Sequence, residues 1–164
     1  MKFPTRLMAL IVIMSALGNV LGLLSIRLPS APGTTVEFHL SALPALLLAI
    51  SIGPISGMLT GALSLVVATI SIGNVFIPFG NALLAGIAGF LASRFKFPPP
   101  VSGAMAMIPY APYMWFACSI YGVPQSIIAF IIVKAFIEVL ISCTLIEFIL
   151  LKPEVKSLLT KFKT

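Results

Sequence analysis

Two charged residues, Lys134 and Glu138, stand four positions apart inside a long apolar run that extends over 124–151. A charge at the centre of a membrane helix costs about 2.5–3.5 kcal/mol on insertion scales, so it marks function by default. At that spacing both side chains fall on one helical face. Lys134 lies roughly 15 Å from the start of the run, at 1.5 Å per residue. Two readings are open: the pair neutralises itself, or it forms the polar wall of a substrate pocket. Lys ahead of Glu is the less favourable order for a helical pair, which leans towards an external partner.

Other residues could share such a pocket. Pro109 and Pro112 each remove a backbone donor inside the preceding apolar run. The carbonyls they free are tolerated at membrane depth only against protein or a wet cavity. Tyr110, Tyr113 and Trp115 cluster around them, and flat rings can stack on a heteroaromatic ligand. Helix kinking with aromatic packing would explain the cluster equally well. Asn74 and Asn81 are seven residues apart, a spacing that puts them on one helical face, where either could bind ligand or bond a neighbouring helix. Glu37 and His39 flank Phe38 at the end of a polar stretch, where they could gate a pocket or lie exposed.

The chain is poor in catalytic groups. It has one histidine, His39, no aspartate, and four acids: Glu37, Glu138, Glu147 and Glu154. Cys118 and Cys143 lie in separate apolar runs, with no metal-ligand spacing. No phosphate-binding Gly-x-x-x-x-Gly-Lys-Ser/Thr, His-Glu-x-x-His or Gly-x-Ser-x-Gly sequence occurs. We expect no catalytic residues, no metal and no cofactor.

The elements that must position these residues are membrane helices. Of 164 residues, 60% are hydrophobic and 9% charged, against about 25% charged in a soluble domain. Six crossings of about 20 residues would take up most of the chain. The apolar runs place them at 7–26, 36–52, 54–72, 75–93, 101–121 and 124–151, an all-α integral membrane protein of one domain. The net charge of +6 points to topology rather than to nucleic acid. Lys2, Arg6, Arg94, Lys96, Lys152, Lys156, Lys161 and Lys163 all fall on one side of such a bundle, and only Arg27 falls on the other. The positive-inside rule makes both termini cytoplasmic, with lipid around the helices.

Membrane helices associate through close packing at small residues. Gly18 and Gly22 form one such stripe, and Gly53, Gly57 and Gly61 another; either could pack internally or dock a second subunit. The segment from Leu43-Pro44-Ala45-Leu46-Leu47-Leu48-Ala49 through Gly53-Pro54-Ile55-Ser56-Gly57-Met58-Leu59-Thr60-Gly61-Ala62 resembles the substrate-binding S components of energy-coupling factor (ECF) vitamin transporters. The likeness in helix number, first loop and length extends over essentially the whole chain. Many S components carry an Ala-x-x-x-Ala pair on the first helix; here Ala9 is followed by Ile13.

The resemblance implies a prokaryotic plasma-membrane protein that captures a small vitamin or vitamin precursor outside the cell. Its implied partners are a coupling transmembrane subunit, docked on the glycine stripes, and two cytoplasmic ATPases. It implies a substrate site among Glu37, His39, Asn74, Asn81, Tyr110, Tyr113, Trp115, Lys134 and Glu138. Riboflavin is slightly favoured, because riboflavin-type members resemble this chain in placing Asn and Lys near the ligand. The alternatives are a stand-alone small-molecule facilitator and a non-transporting membrane scaffold.

Overall fold

A computed structural model describes residues 4–31, 34–160 and 162. The elements in order are α1 (Thr5–Leu23), β1 (Ile26–Ala31), β2 (Thr34–Phe38), α2 (Leu43–Ser51), α3 (Pro54–Leu63), α4 (Val66–Ile72), α5 (Phe76–Phe95), α6 (Pro99–Ile120), α7 (Gln125–Leu151) and α8 (Pro153–Thr160). Among the described residues, four stretches are long and apolar enough to cross a membrane: α1, α3 with α4, α5 and α7. Large apolar side chains such as Ile13, Ile70, Phe79, Ile108 and Phe148 are exposed around the outside, as a lipid-facing surface requires.

The six-helix expectation needs three corrections. First, the run 36–52 is helical only from Leu43. Residues 34–38, rich in β-branched side chains, pair with β1 as an antiparallel hairpin in which Arg27 faces Glu37 and Leu28 faces Val36. The chain is therefore not purely helical. Pro44 sits in the first turn of α2, where its missing N–H is harmless. Second, the run 54–72 is broken at Ser64–Leu65. Asn19 of α1 bridges the break: its Nδ2 donates to Leu63 O at 2.8 Å and its Oδ1 accepts from Val67 N at 3.1 Å. Third, Pro153 opens a further short helix, α8. Pro109 and Pro112, by contrast, do not interrupt the fifth run. Both are exposed and α6 is continuous through them.

Nine residues of α2 rise only about 14 Å, less than half a bilayer core. The helix is buried nearly all round, with Leu46, Leu48, Ala45 and Ala49 fully inaccessible, and it packs among α1, α3, α5 and α7. Leu46 and Leu47 join Leu84, Ala106, Val139 and Ile146 in the main core. Phe162 packs beside Leu7, so the two ends of the chain meet at the end of the bundle opposite the hairpin. Above α2, on the hairpin side, the bundle is not filled by helix. That space is the cavity described next.

Candidate substrate-binding site

The missing half of the second span leaves a cavity of about 290 Å³ between α4, α5, α6, α7 and the segment joining the hairpin to α2. His39, Ser41 and Ala42 form that part of the wall.

At one end, α7 presents Lys134 and Glu138. Lys134 Nζ stands 3.0 Å from Glu138 Oε2, with the two side chains 11% and 9% exposed. Both residues also hold the hairpin. Lys134 donates to the backbone carbonyl of Glu37 at 2.9 Å, and Glu138 Oε1 accepts the backbone N–H of His39 at 2.6 Å. The His39 ring is fixed in turn by Ser41 Oγ at 2.9 Å from Nδ1. Burial pushes the His39 imidazole below its ordinary 6.5; Glu138 pulls it up, and Lys134 pushes it down again. The net direction is down, so the ring is neutral at neutral pH.

The α6 wall is aromatic. Tyr110 and Tyr113, three residues apart on α6, are stacked with ring centroids 6.5 Å apart and planes at 19°. Tyr113 Oη donates to Phe76 O at 2.8 Å. Gly80 on α5 makes room for both rings: a Cβ there would meet Tyr113 Cε1 at 2.8 Å and Tyr110 Cε2 at 3.2 Å. Asn81 is buried beside the cavity, and its Nδ2 donates to Gly61 O at 3.1 Å and Ser64 Oγ at 3.4 Å. It therefore ties α5 to the end of α3 while its Oδ1 accepts no bond from the described residues. Asn74 also lines the cavity, but its Oδ1 accepts from Phe76 N at 2.9 Å and starts α5.

Seven of the nine expected site residues thus line one cavity: His39, Asn74, Asn81, Tyr110, Tyr113, Lys134 and Glu138. Two do not. The Glu37 side chain turns away to Arg27 at 3.6 Å, because alternate residues of a strand face opposite sides; only its carbonyl reaches the site. Trp115 is 39% exposed and lies in a shallow external groove with Pro112 and Phe116. It is two residues from Tyr113, which on a helix is about 200° round the axis.

Three of the five stripe glycines pack against other parts of this same chain. Gly57 abuts Ala49, Gly61 abuts the Asn81 backbone and Gly18 abuts Ser64, so closely that a Cβ would collide at each. Gly22 is half-buried near Ser41, and Gly53 is open at the α2–α3 turn. Gly80, Ser41 and Asn19 were not picked out from the sequence. The signal that could have found Gly80 is its place two residues before the small-residue face Ala82, Ala85, Gly86 and Gly89.

One solved structure, described as the S component of a bacterial ECF transporter, matches 94% of this chain and 98% of its own, with a TM-score of 0.67 and 20% sequence identity. This chain has the S-component fold. No family model and no curated protein matches the sequence. The aligned region takes in nearly the entire chain.

Proposed function

We propose that this chain is the substrate-capturing membrane subunit of an ECF-type importer. It binds a small vitamin or vitamin precursor, riboflavin-like in the first instance, and delivers it with a coupling transmembrane subunit and two ATPases. The observation that carries this reading is the cavity: a space of about 290 Å³ roofed by a hairpin and walled by tyrosines and a buried ion pair, in a chain with the S-component fold. An engineered cavity of about 150 Å³ holds benzene, so this one has room for more than a single ring. His39, Asn81, Tyr110, Tyr113, Lys134 and Glu138 are the contacts we assign to the ligand, with Asn74 at the margin.

The hairpin side faces outward and both termini face the cytoplasm, in a prokaryotic plasma membrane; the distribution of basic residues supports this orientation. A stand-alone facilitator would need a second way out of the cavity. The buried α2 core, Leu46 and Leu48 above all, fills the space beneath it, which favours dependence on partners.

Proteoliposome uptake separates the readings. The purified chain alone should retain radiolabelled riboflavin in a filter-binding assay without accumulating it. Accumulation should appear only with a coupling subunit, its ATPases and ATP. Accumulation by the chain alone would establish the facilitator, and no binding across a vitamin panel would leave the scaffold.

A further inference from the structure

We propose that the cavity selects an uncharged ligand and rejects molecules carrying a net carboxylate, phosphate or fixed cation. The inference rests on the substrate-capture reading and goes further by assigning the ligand's charge class.

The charged groups in the cavity wall cancel. Lys134 and Glu138 are in contact at 3.0 Å, and their opposite charges sum to zero. Each carboxylate oxygen already has a partner, Oε2 in Lys134 and Oε1 in the His39 N–H, so the charge of Glu138 is already matched before a ligand enters. Of the three ammonium protons, one serves Glu138 and one serves Glu37 O. A single N–H remains, enough for a neutral acceptor and too little for a carboxylate, which would be a second negative charge beside Glu138. The nearest other cation on the hairpin, Arg27, is turned outward with its side chain 76% exposed and is paired with Glu37.

Other residues that line the cavity carry neutral polar groups without a partner among the described residues: the Asn81 amide oxygen, an acceptor, the Tyr110 hydroxyl, able to donate or accept, and Nε2 of His39. Burying an ion without a counter-charge is heavily disfavoured, whereas a neutral molecule with one acceptor edge and one N–H can satisfy Lys134 and Asn81 together. The nearly parallel Tyr110 and Tyr113 rings suit a planar ring system. The structure thus points to a neutral heterocycle with an amide- or imide-like edge.

The test uses pairs of probes that share a ring system and differ in charge: riboflavin with its phosphate ester, biotinamide with biotin, and nicotinamide with nicotinate, together with thiamine as a fixed cation. Each is titrated by calorimetry into the full-length chain in detergent. At least one neutral probe should bind, on the order of 100-fold more tightly than its charged partner, and thiamine should not bind. In Glu138→Gln the cavity gains a net positive charge, so that discrimination should shrink at least tenfold or reverse towards the anion. A charged member bound within threefold of its neutral partner by the unaltered protein, or tight thiamine binding, would overturn the charge assignment while leaving substrate capture standing. Failure of every probe would remove both.

Discussion

Replacing Lys134 alone should destabilise the protein far more than replacing Lys134 and Glu138 together. At 3.0 Å and an effective dielectric of about 20, the pair attraction is roughly 5–6 kcal/mol. That attraction offsets the desolvation of two side chains only 11% and 9% exposed. Lys134→Met removes the partner and leaves Glu138 buried, at a cost of about 3–5 kcal/mol. It also frees the Glu37 carbonyl, so the hairpin loses one of its two polar attachments to α7. Glu138→Leu has a similar cost for the mirror reason. The double variant, Lys134→Met with Glu138→Leu, leaves no buried charge. Its remaining cost is chiefly the unsatisfied His39 N–H, about 1–3 kcal/mol. Equilibrium SDS unfolding in dodecyl maltoside micelles, followed by circular dichroism, measures all three. The two single losses should exceed the double loss by several kcal/mol. Additivity within about 0.5 kcal/mol would refute the argument that the two charges hold one another in place.

Four further outcomes follow from the geometry. Gly80→Ala puts a Cβ 2.8 Å from Tyr113 Cε1; it should cost about 1–3 kcal/mol as overpacking and push the rings into the cavity, weakening ligand binding in calorimetry. Asn19→Ala removes both bonds across the α3–α4 break and should cost about 1–3 kcal/mol in the same unfolding assay, with ligand affinity changed less than in Gly80→Ala. Trp115→Ala, on the external face, should leave ligand affinity unchanged within error, while Tyr110→Ala lowers it. The His39 ring titrates below 6.5 in the folded protein, so the unfolded chain binds more protons in that window and stability rises with pH there. That contribution is full above 6.5 and is lost as pH falls through the folded value. Melting temperature should therefore drop on acidification from pH 7.5 to 5, and His39→Gln should flatten the slope.

The long helices were legible because a lipid-facing helix must be apolar over about 20 residues, and the helical ends of α1, α5, α6 and α7 fall within three residues of the ends of the apolar runs. The second and third runs hid their breaks. Hydropathy does not distinguish a strand from a helix in an apolar stretch, so β2 was absorbed into a span. The α3–α4 break depends on Asn19, 44 residues from Leu63, which no local pattern reveals. The pairing of Lys134 with Glu138 followed from spacing alone. Their second role could not be read, because the partners are the backbone groups of Glu37 and His39 and backbone atoms carry no sequence signal. The same limit explains the misplaced Glu37 side chain. Glycine spacing correctly marked close helix contacts, but spacing does not say whether the other helix belongs to the same chain. Here Gly57 and Gly61 meet α2 and α5.

The central claim is that the space beneath the hairpin holds a small molecule. The most direct measurement is mass spectrometry of the compounds released when the purified, detergent-solubilised protein is denatured, beside Lys134→Ala and Trp115→Ala prepared in parallel. The account predicts a stoichiometric vitamin or vitamin precursor from the unaltered protein and from Trp115→Ala, and its loss from Lys134→Ala. No released compound, followed by no thermal shift across a vitamin panel, would contradict it.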